Sequence, residues 1–238
     1  SVNAMMQRLR EAQQQQRRFI ADAAHELRTP IAALSIQAEN LSTVIAQGEA
    51  SERMQALQSG LKRTKSLLEQ LLSLSRIQDR VDAPPAQPCD VMAVVREVVA
   101  DLLPLTIAKN IDIGLTQAQP CQVLCSPFEM RTLLTNVLSN AIRHVADGGQ
   151  IDIAVTSSNG QMALLVDDNG TGVPRDDLPH VFAPFYRAAD SDQEGTGLGL
   201  AIVKAIADRI GGTVALGPRP SGVSGCRFTL CCRLARIE

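Results

Sequence analysis

Three prolines fall within five positions, at Pro84, Pro85 and Pro88, and the apolar periodicity of the chain changes across them. Before them, Phe19, Ala23, Leu27, Ile31, Leu34, Ala38, Leu41 and Ile45 step by three or four, and Met54, Leu57, Leu61, Leu68, Leu71 and Ser75 repeat the pattern. This spacing predicts a long helix over residues 4–46 and a second over 52–79. Gln47–Ser51 is the turn between them, with Ser51 as a candidate cap. A period near 3.5 in both segments predicts an antiparallel helical hairpin with a coiled-coil-like seam. Proline lacks an N–H and holds its predecessor extended, so residues 81–88 end the second helix and read as a stiff linker. Leu67, Leu68, Leu71, Leu72 and Leu74 give the second helix an apolar face wider than one partner covers. Two copies forming a four-helix bundle would cover it, which predicts a homodimer; packing on the downstream domain is the alternative.

After the prolines the pattern alternates in type. Helical periodicity occupies about 90–108, 127–145 and 196–211, and strand periodicity about 110–117, 121–125, 150–157, 161–167, 213–217 and 225–234. Asn159-Gly160 between two strands predicts a tight hairpin. The expected class is α+β: the helical hairpin followed by an α/β sandwich with helices on one face of a mixed sheet. Of the 238 residues, 45% are hydrophobic and 20% charged, an ordinary globular balance, and with 3% aromatics and no Trp the core must be aliphatic. A net charge of −2 argues against a nucleic-acid partner. No run of about 18 apolar residues is present to span a bilayer. The six cysteines lack paired zinc-site spacing and read as buried reduced thiols, with a redox switch as the lesser alternative.

One string stands out in the first part: Ala24-His25-Glu26-Leu27-Arg28-Thr29-Pro30. His25 and Thr29 lie four apart on one helical face. Pro30 removes a backbone donor one turn after His25, so the helix bends there or leaves a carbonyl near residue 26 unpaired. A carboxylate that accepts from Nδ1–H leaves Nε2 unprotonated and nucleophilic. The plainer alternative is a helix-surface histidine.

Four strings in the second part carry chemistry. Asn136, Asn140, Arg143 and His144 form a stripe on an otherwise apolar helix. An amide oxygen there is a hard ligand suited to Mg²⁺, and Arg143 is in position to reach a phosphate. Asp167-Asp168-Asn169-Gly170-Thr171-Gly172 leaves a strand; Asp168 can accept from an exocyclic amine such as adenine's, and Gly170 and Gly172 admit close backbone approach. Phe182-Ala183-Pro184-Phe185-Tyr186-Arg187 sets aromatics in a polar loop. Gly195-Thr196-Gly197-Leu198-Gly199 opens a helix whose free N–H groups make a phosphate cradle. Taken singly, the Asp-Asn-Gly turn and the glycine-rich turn also have purely structural readings.

In this order the strings resemble the boxes of bacterial sensor histidine kinases. The resemblance spans nearly the whole chain. It implies the end of a HAMP-like signalling helix at 1–14, a dimerisation and phosphotransfer hairpin at 15–80, the linker at 81–88 and a catalytic ATP-binding domain at 89–238. That last fold is shared with gyrase, Hsp90-type chaperones and MutL. By position, the resemblance implies that His25 takes the γ-phosphoryl of ATP, that Glu26 orients its imidazole, and that Thr29 positions a water for dephosphorylating the partner; helix packing is the alternative for Thr29. It further implies that Asn140 holds Mg²⁺ with Asn136 in support, and that Asp168 reads adenine. Arg143, His144, Gly170, Gly172, Arg187, Gly195, Thr196, Gly197, Leu198 and Gly199 would complete the nucleotide site. A lid would run over about 175–195 with its tip at 188–194. The implied partners are a second copy and the receiver domain of a response regulator, recognised near Ile36, Glu39 and Asn40. The implied location is the cytoplasmic side of a bacterial inner membrane, reached through a preceding segment. An ATP-binding signalling protein biased toward phosphatase or scaffold work, and a conformational ATPase, are the alternatives.

Overall fold

The computed structural model describes residues 27–42, 49–78, 87–187, 196–220 and 223–235. The expected helical residues 4–26 and 43–46, positions 47 and 48 of the inter-helix turn, most of the linker and the lid tip lie outside them, and turn positions 49–51 are helix. The chain divides into two compact units, at 1–82 and 83–238.

In the first unit, α1 (described over 27–42) and α2 (Glu49–Gln78) are helical as the 3.5 spacing predicts. Ile31 packs against Leu68 and Leu72. Seven residues later, Ala38 O accepts from Gln58 Nε2 at 3.3 Å. Advance along α1 therefore meets retreat along α2, which makes the pair antiparallel. Helix α1 continues through Pro30. Helix α2 begins at Glu49, so Ser51 lies inside its first turn and is not its cap. Leu27, Leu34, Ile36, Leu41 and Leu57 are each more than half exposed within one chain.

The second unit begins earlier than the proline pattern suggests. Gln87–Asp90 forms β1, paired antiparallel with β3 (Gln122–Cys125). Gln87 and Pro88, read from sequence as linker, are therefore strand, and β3 joins a separate two-stranded sheet. Pro88 is tolerated because β1 pairs on one side only. Asp90 ends β1 and caps α3 (Val91–Ala108), its Oδ1 accepting from the N–H groups of Met92 at 2.9 Å and Ala93 at 3.1 Å.

A five-stranded sheet follows in the order β2-β4-β5-β7-β6, with β2 (Asp112–Ala118), β4 (Gln150–Ser158), β5 (Gln161–Asp168), β6 (Thr213–Pro218) and β7 (Cys226–Arg233). Only β2 and β4 are parallel. Asn159 and Gly160 take φ of 51° and 74° between the paired residues Ser158 and Gln161, the predicted two-residue turn. Helices α3, α4 (Pro127–His144) and α5 (Gly199–Arg209) cover one face, with α4 between the other two. Strict alternation drives this. Met162, Leu164 and Val166 of β5 and Phe228 and Leu230 of β7 point inward against Leu133, Leu134, Leu138, Ile202 and Ile206, and all are almost fully buried. The α+β class holds.

All six cysteines are free, and only Cys231 is more than slightly exposed. Burial pushes the Cys226 thiol up to about 11 and Cys232 to about 12, and raises Cys121 as well. The Cys125 thiol is raised by its hydrogen bond with Cys89 and by burial. Thiols held protonated react slowly, which favours core filling at these four, while the bond with Cys125 lowers the buried Cys89.

Among the described residues, Glu129 is the one buried carboxylate outside the site region. Its Oε2 accepts from Ser126 N at 3.3 Å in a capping box, and Arg209 Nε of α5 lies 3.0 Å from its Oε1. That second approach is off the line a hydrogen bond needs, so the attraction is Coulombic. The pair ties the start of α4 to the end of α5. Glu129→Ala should cost about 2 kcal/mol in urea denaturation, because it removes the cap and takes a carboxylate away from the Arg209 guanidinium. Glu129→Gln, which keeps an acceptor for the cap, should cost less.

Candidate nucleotide site

Helix α4 carries Asn136, Asn140, Arg143 and His144 as predicted. Both asparagines are half-buried, Arg143 is exposed and His144 is half-buried, while Leu133, Leu134, Val137, Leu138, Ala141 and Ile142 face the core. Asn136 Nδ2 donates to Thr132 O of its own helix at 2.8 Å, and its Oδ1 lies where a Cβ on Gly199 would be 3.0 Å away. The asparagine stripe thus abuts the start of α5. That helix begins at Gly199, three residues later than its apolar pattern suggests, since Gly197 takes φ of 71° and cannot be helical. Thr196 Oγ1 accepts from Leu198 N at 3.3 Å and Leu198 is fully buried, so the turn is fixed. No side chain of the described residues caps α5, and the N–H groups of its first turn point out of the helix.

Asp168 ends β5 with its carboxylate buried. Oδ1 accepts from Gly170 N at 2.9 Å and from Cys226 N at 3.3 Å, and no hydrogen bond from the described residues reaches Oδ2. Burial raises the carboxyl's pKa, and the two N–H groups, then His144 and Arg219, oppose that rise. The His144 imidazole is pushed down, first by burial and then by Arg143 and Lys109, against the pull of Asp168. A Cβ on Gly170 would stand 2.6 Å from His144 O, so the Asp-Asn-Gly turn lies directly on the end of α4. The glycine at 170 is required by that helix end, a different reason from the approach to a base expected from sequence.

Arg187 follows Tyr186, whose hydroxyl donates to Asp177 Oδ1 at 2.5 Å; that bond is the main cause raising the phenol's pKa. Phe185 N donates to Gly197 O at 2.9 Å, joining the aromatic string to the glycine string. Gly172 lies against Gly225. His25, Glu26 and Gly195 lie outside the described residues, and Thr29 is exposed on α1 of the first unit.

These groups suit a purine nucleotide with a divalent ion. A buried carboxylate has one oxygen available to an amine, an uncapped helix start has N–H groups for phosphate, and a half-buried Asn140 has an oxygen for a hard cation. Two family descriptions match this arrangement: "His Kinase A (phospho-acceptor) domain" over residues 15–80, and "Histidine kinase-, DNA gyrase B-, and HSP90-like ATPase" over 126–236. The chain belongs to the histidine kinases. It is 34% identical over 211 residues to the swarming motility regulation sensor protein RssA of Serratia marcescens, covering 88% of this chain and 45% of that protein. It is 34% identical to the sensor protein kinase PmrB of Pseudomonas aeruginosa, covering 91% of this chain and 45% of that one. The chain spans about half the length of these curated relatives. Among solved structures, full-length ShkA in complex with AMPPNP has a TM-score of 0.75 at 24% identity, covering 93% of this chain and 46% of that one. Acinetobacter baumannii AdeS has 0.64 at 24%, covering 89% and 98%. Both support the fold. No described helix is long and apolar enough to cross a membrane.

Sequence reasoning missed the strap formed by residues 224–226. Ser224 Oγ donates to Gly170 O at 2.8 Å, Cys226 N donates to Asp168, and Gly225 takes φ of 126° against the Asp168 carbonyl. A Ser-Gly pair just before an alternating strand was the available signal. Gly225→Ala should lose about 2 kcal/mol or more, since the backbone is strained and the added Cβ meets the Asp168 backbone. Gly217→Ala on β6, where a Cβ meets nothing within 4 Å, should be nearly neutral by the same urea titration.

Proposed function

We propose that this chain uses Mg-ATP to phosphorylate His25 at Nε2 and passes the phosphoryl group to an aspartate in the receiver domain of a response regulator. The supporting observation is the presence, on one chain, of a phosphoacceptor-type hairpin and a site whose buried carboxylate and uncapped helix start suit ATP. That AMPPNP, an ATP analogue, occupies a protein of the same fold lends further support.

In this reading Asp168 Oδ2 accepts the adenine amine, Arg143 and the first N–H groups of α5 meet the phosphates, and Arg187, His144 and the turn at Gly195–Gly199 complete the enclosure. Asn140, with Asn136 beside it, would hold Mg²⁺, which neutralises phosphate charge as the transfer proceeds. Glu26 accepts the Nδ1 proton and so presents the Nε2 lone pair. The N–P bond forms as the bond from the γ-phosphorus to the bridging oxygen breaks, and ADP leaves with that electron pair. A receiver aspartate oxygen then attacks the same phosphorus and the N–P bond breaks. Placement and charge carry such a transfer, and neither step needs a base to activate water. Thr29, exposed one turn beyond His25, suits the reverse duty of positioning a water at the phospho-aspartate. Ile36, 59% exposed, with exposed Glu39 and Asn40, supplies a mixed surface for the receiver.

The uncovered leucines of the hairpin support a homodimer, and the relatives' sensor roles support a place on the cytoplasmic side of a bacterial inner membrane. His25→Ala should abolish incorporation of label from γ-labelled ATP while leaving calorimetric ADP binding unchanged. Acid-stable label, or label persisting in that variant, would refute the reading, and ATP binding without any label would favour a scaffold or phosphatase. Asp168 must be ionised to accept the amine. Because burial raises its pKa, ADP affinity should fall on acidification at a higher pH than an ordinary aspartate would give, and Asp168→Asn should bind weakly at every pH.

A further inference from the structure

One side chain outside every string singled out above is bound to the end of the helix that carries Arg143 and His144. Lys109 stands between α3 and β2. Its Nζ donates to Ile142 O at 3.0 Å, Arg143 O at 3.3 Å and Val145 O at 3.3 Å. An ammonium has three donors, and three of the four carbonyls from 142 to 145 accept them. The fourth, that of His144, faces Gly170. The backbone of the same residue holds the next turn, Gly148 N donating to Lys109 O at 2.9 Å.

The last carbonyls of a helix lack helical partners and carry about half a negative charge. Here they lie in the turn that presents Arg143 and His144. A bare negative helix end beside a polyanion would oppose its binding. Lys109 both removes that opposition and holds the turn in place. The charged or titratable groups facing His144 are Arg143, Asp168 and Lys109.

We propose that Lys109 is a positioning residue for the phosphates of the nucleotide, acting through the end of α4 on Arg143 and His144. This rests on the nucleotide reading given above. Its distinguishing mark is selectivity for charge: the ammonium matters to a nucleotide's phosphates and is indifferent to its base and sugar.

The test uses Lys109→Met, Lys109→Gln and Lys109→Arg in the 238-residue chain, with calorimetric binding of ATP, ADP and adenosine. Loss of the charge should weaken ATP and ADP by roughly fivefold and leave adenosine unchanged, and Lys109→Arg should restore most of the loss. Equal weakening of adenosine and ATP would make Lys109 an ordinary helix prop and overturn the proposal. So would unchanged binding of all three. A wild-type chain that binds neither ATP nor adenosine overturns the nucleotide reading together with this one. That result is distinct from failure of Lys109 alone, in which wild type binds and the variants bind alike. A second readout needs no nucleotide. With one opposing cation gone, the His144 imidazole should titrate at higher pH in Lys109→Met and Lys109→Gln than in wild type by NMR, assigned against His144→Asn. An unmoved His144 in folded variants would overturn the electrostatic link.

Discussion

The carboxylate of Asp168 is the point on which the second unit's site is built. Burying a charge without partners is prohibitively costly, so everything around it serves to keep it ionised and still. Two backbone N–H groups converge on Oδ1, one from the turn that follows β5 and one from the first residue of β7. To deliver the second, the chain before β7 must press against the Asp168 backbone, which is why position 225 admits no side chain. The turn after Asp168 in turn rests on the last carbonyls of α4. One buried acid therefore fixes the mutual placement of β5, β7 and α4. Burial still prevails over the two hydrogen bonds in setting the direction of its pKa.

The sheet beside it poses a related electrostatic problem. Asp152 on β4 lies directly opposite Asp167 on β5, an arrangement that like charges disfavour. Each has its own arginine. Arg219 reaches Asp152 at 2.9 Å, and Arg227, opposite Asp167 in register, grips it through Nε at 2.7 Å and Nη2 at 2.5 Å. Partly exposed pairs of this kind stabilise little by themselves, at most about 1 kcal/mol each. Their effect is to offset a repulsion that would otherwise pry β4 from β5 at the end where Asp168 sits. The planar fork of Arg227 also fixes the register of β7, and with it the position of Gly225 and Cys226.

Much of this was legible in the sequence because periodicity is a physical consequence of layered packing. The ends of α3 and α4, the hairpin at Asn159-Gly160 and the inward residues of β5 follow from it within a residue or two. The stripe of Asn136, Asn140, Arg143 and His144 and the strand-end Asp168 were readable as polar intrusions in apolar elements. Strand β1 was not, because Pro84, Pro85 and Pro88 signal a linker, and an edge strand paired on one side tolerates what an interior strand does not. The α5 boundary slipped by one glycine's positive φ. Lys109 left no local signature at all, since its acceptors stand 33 to 36 residues away and are backbone atoms, identical at every position. The strap at Ser224–Cys226 left only a Ser-Gly pair before β7, its partners standing 54 and 58 residues away. Contacts from side chains to distant backbone are invisible to any reading based on neighbours.

The two units differ in what holds them, and the difference bears on the proposed transfer. The second has a closed aliphatic core, and its turns meet neighbouring backbone at Gly170, Gly197 and Gly225, where an added Cβ would collide. In the first, the described helices bury few large side chains within one chain and leave five leucines and isoleucines more than half exposed. Correct placement of reactants is worth about 7 to 11 kcal/mol of a barrier, and misplacement by an ångström forfeits much of it. A rigid nucleotide site can supply only half of that placement, the orientation of the phosphates. The other half is the approach of an imidazole from a unit whose own order depends on covering its apolar face. Under the proposed transfer, whatever changes how that face is covered would change the rate without touching the nucleotide site, which would make the hairpin the place where an incoming signal has the greatest leverage.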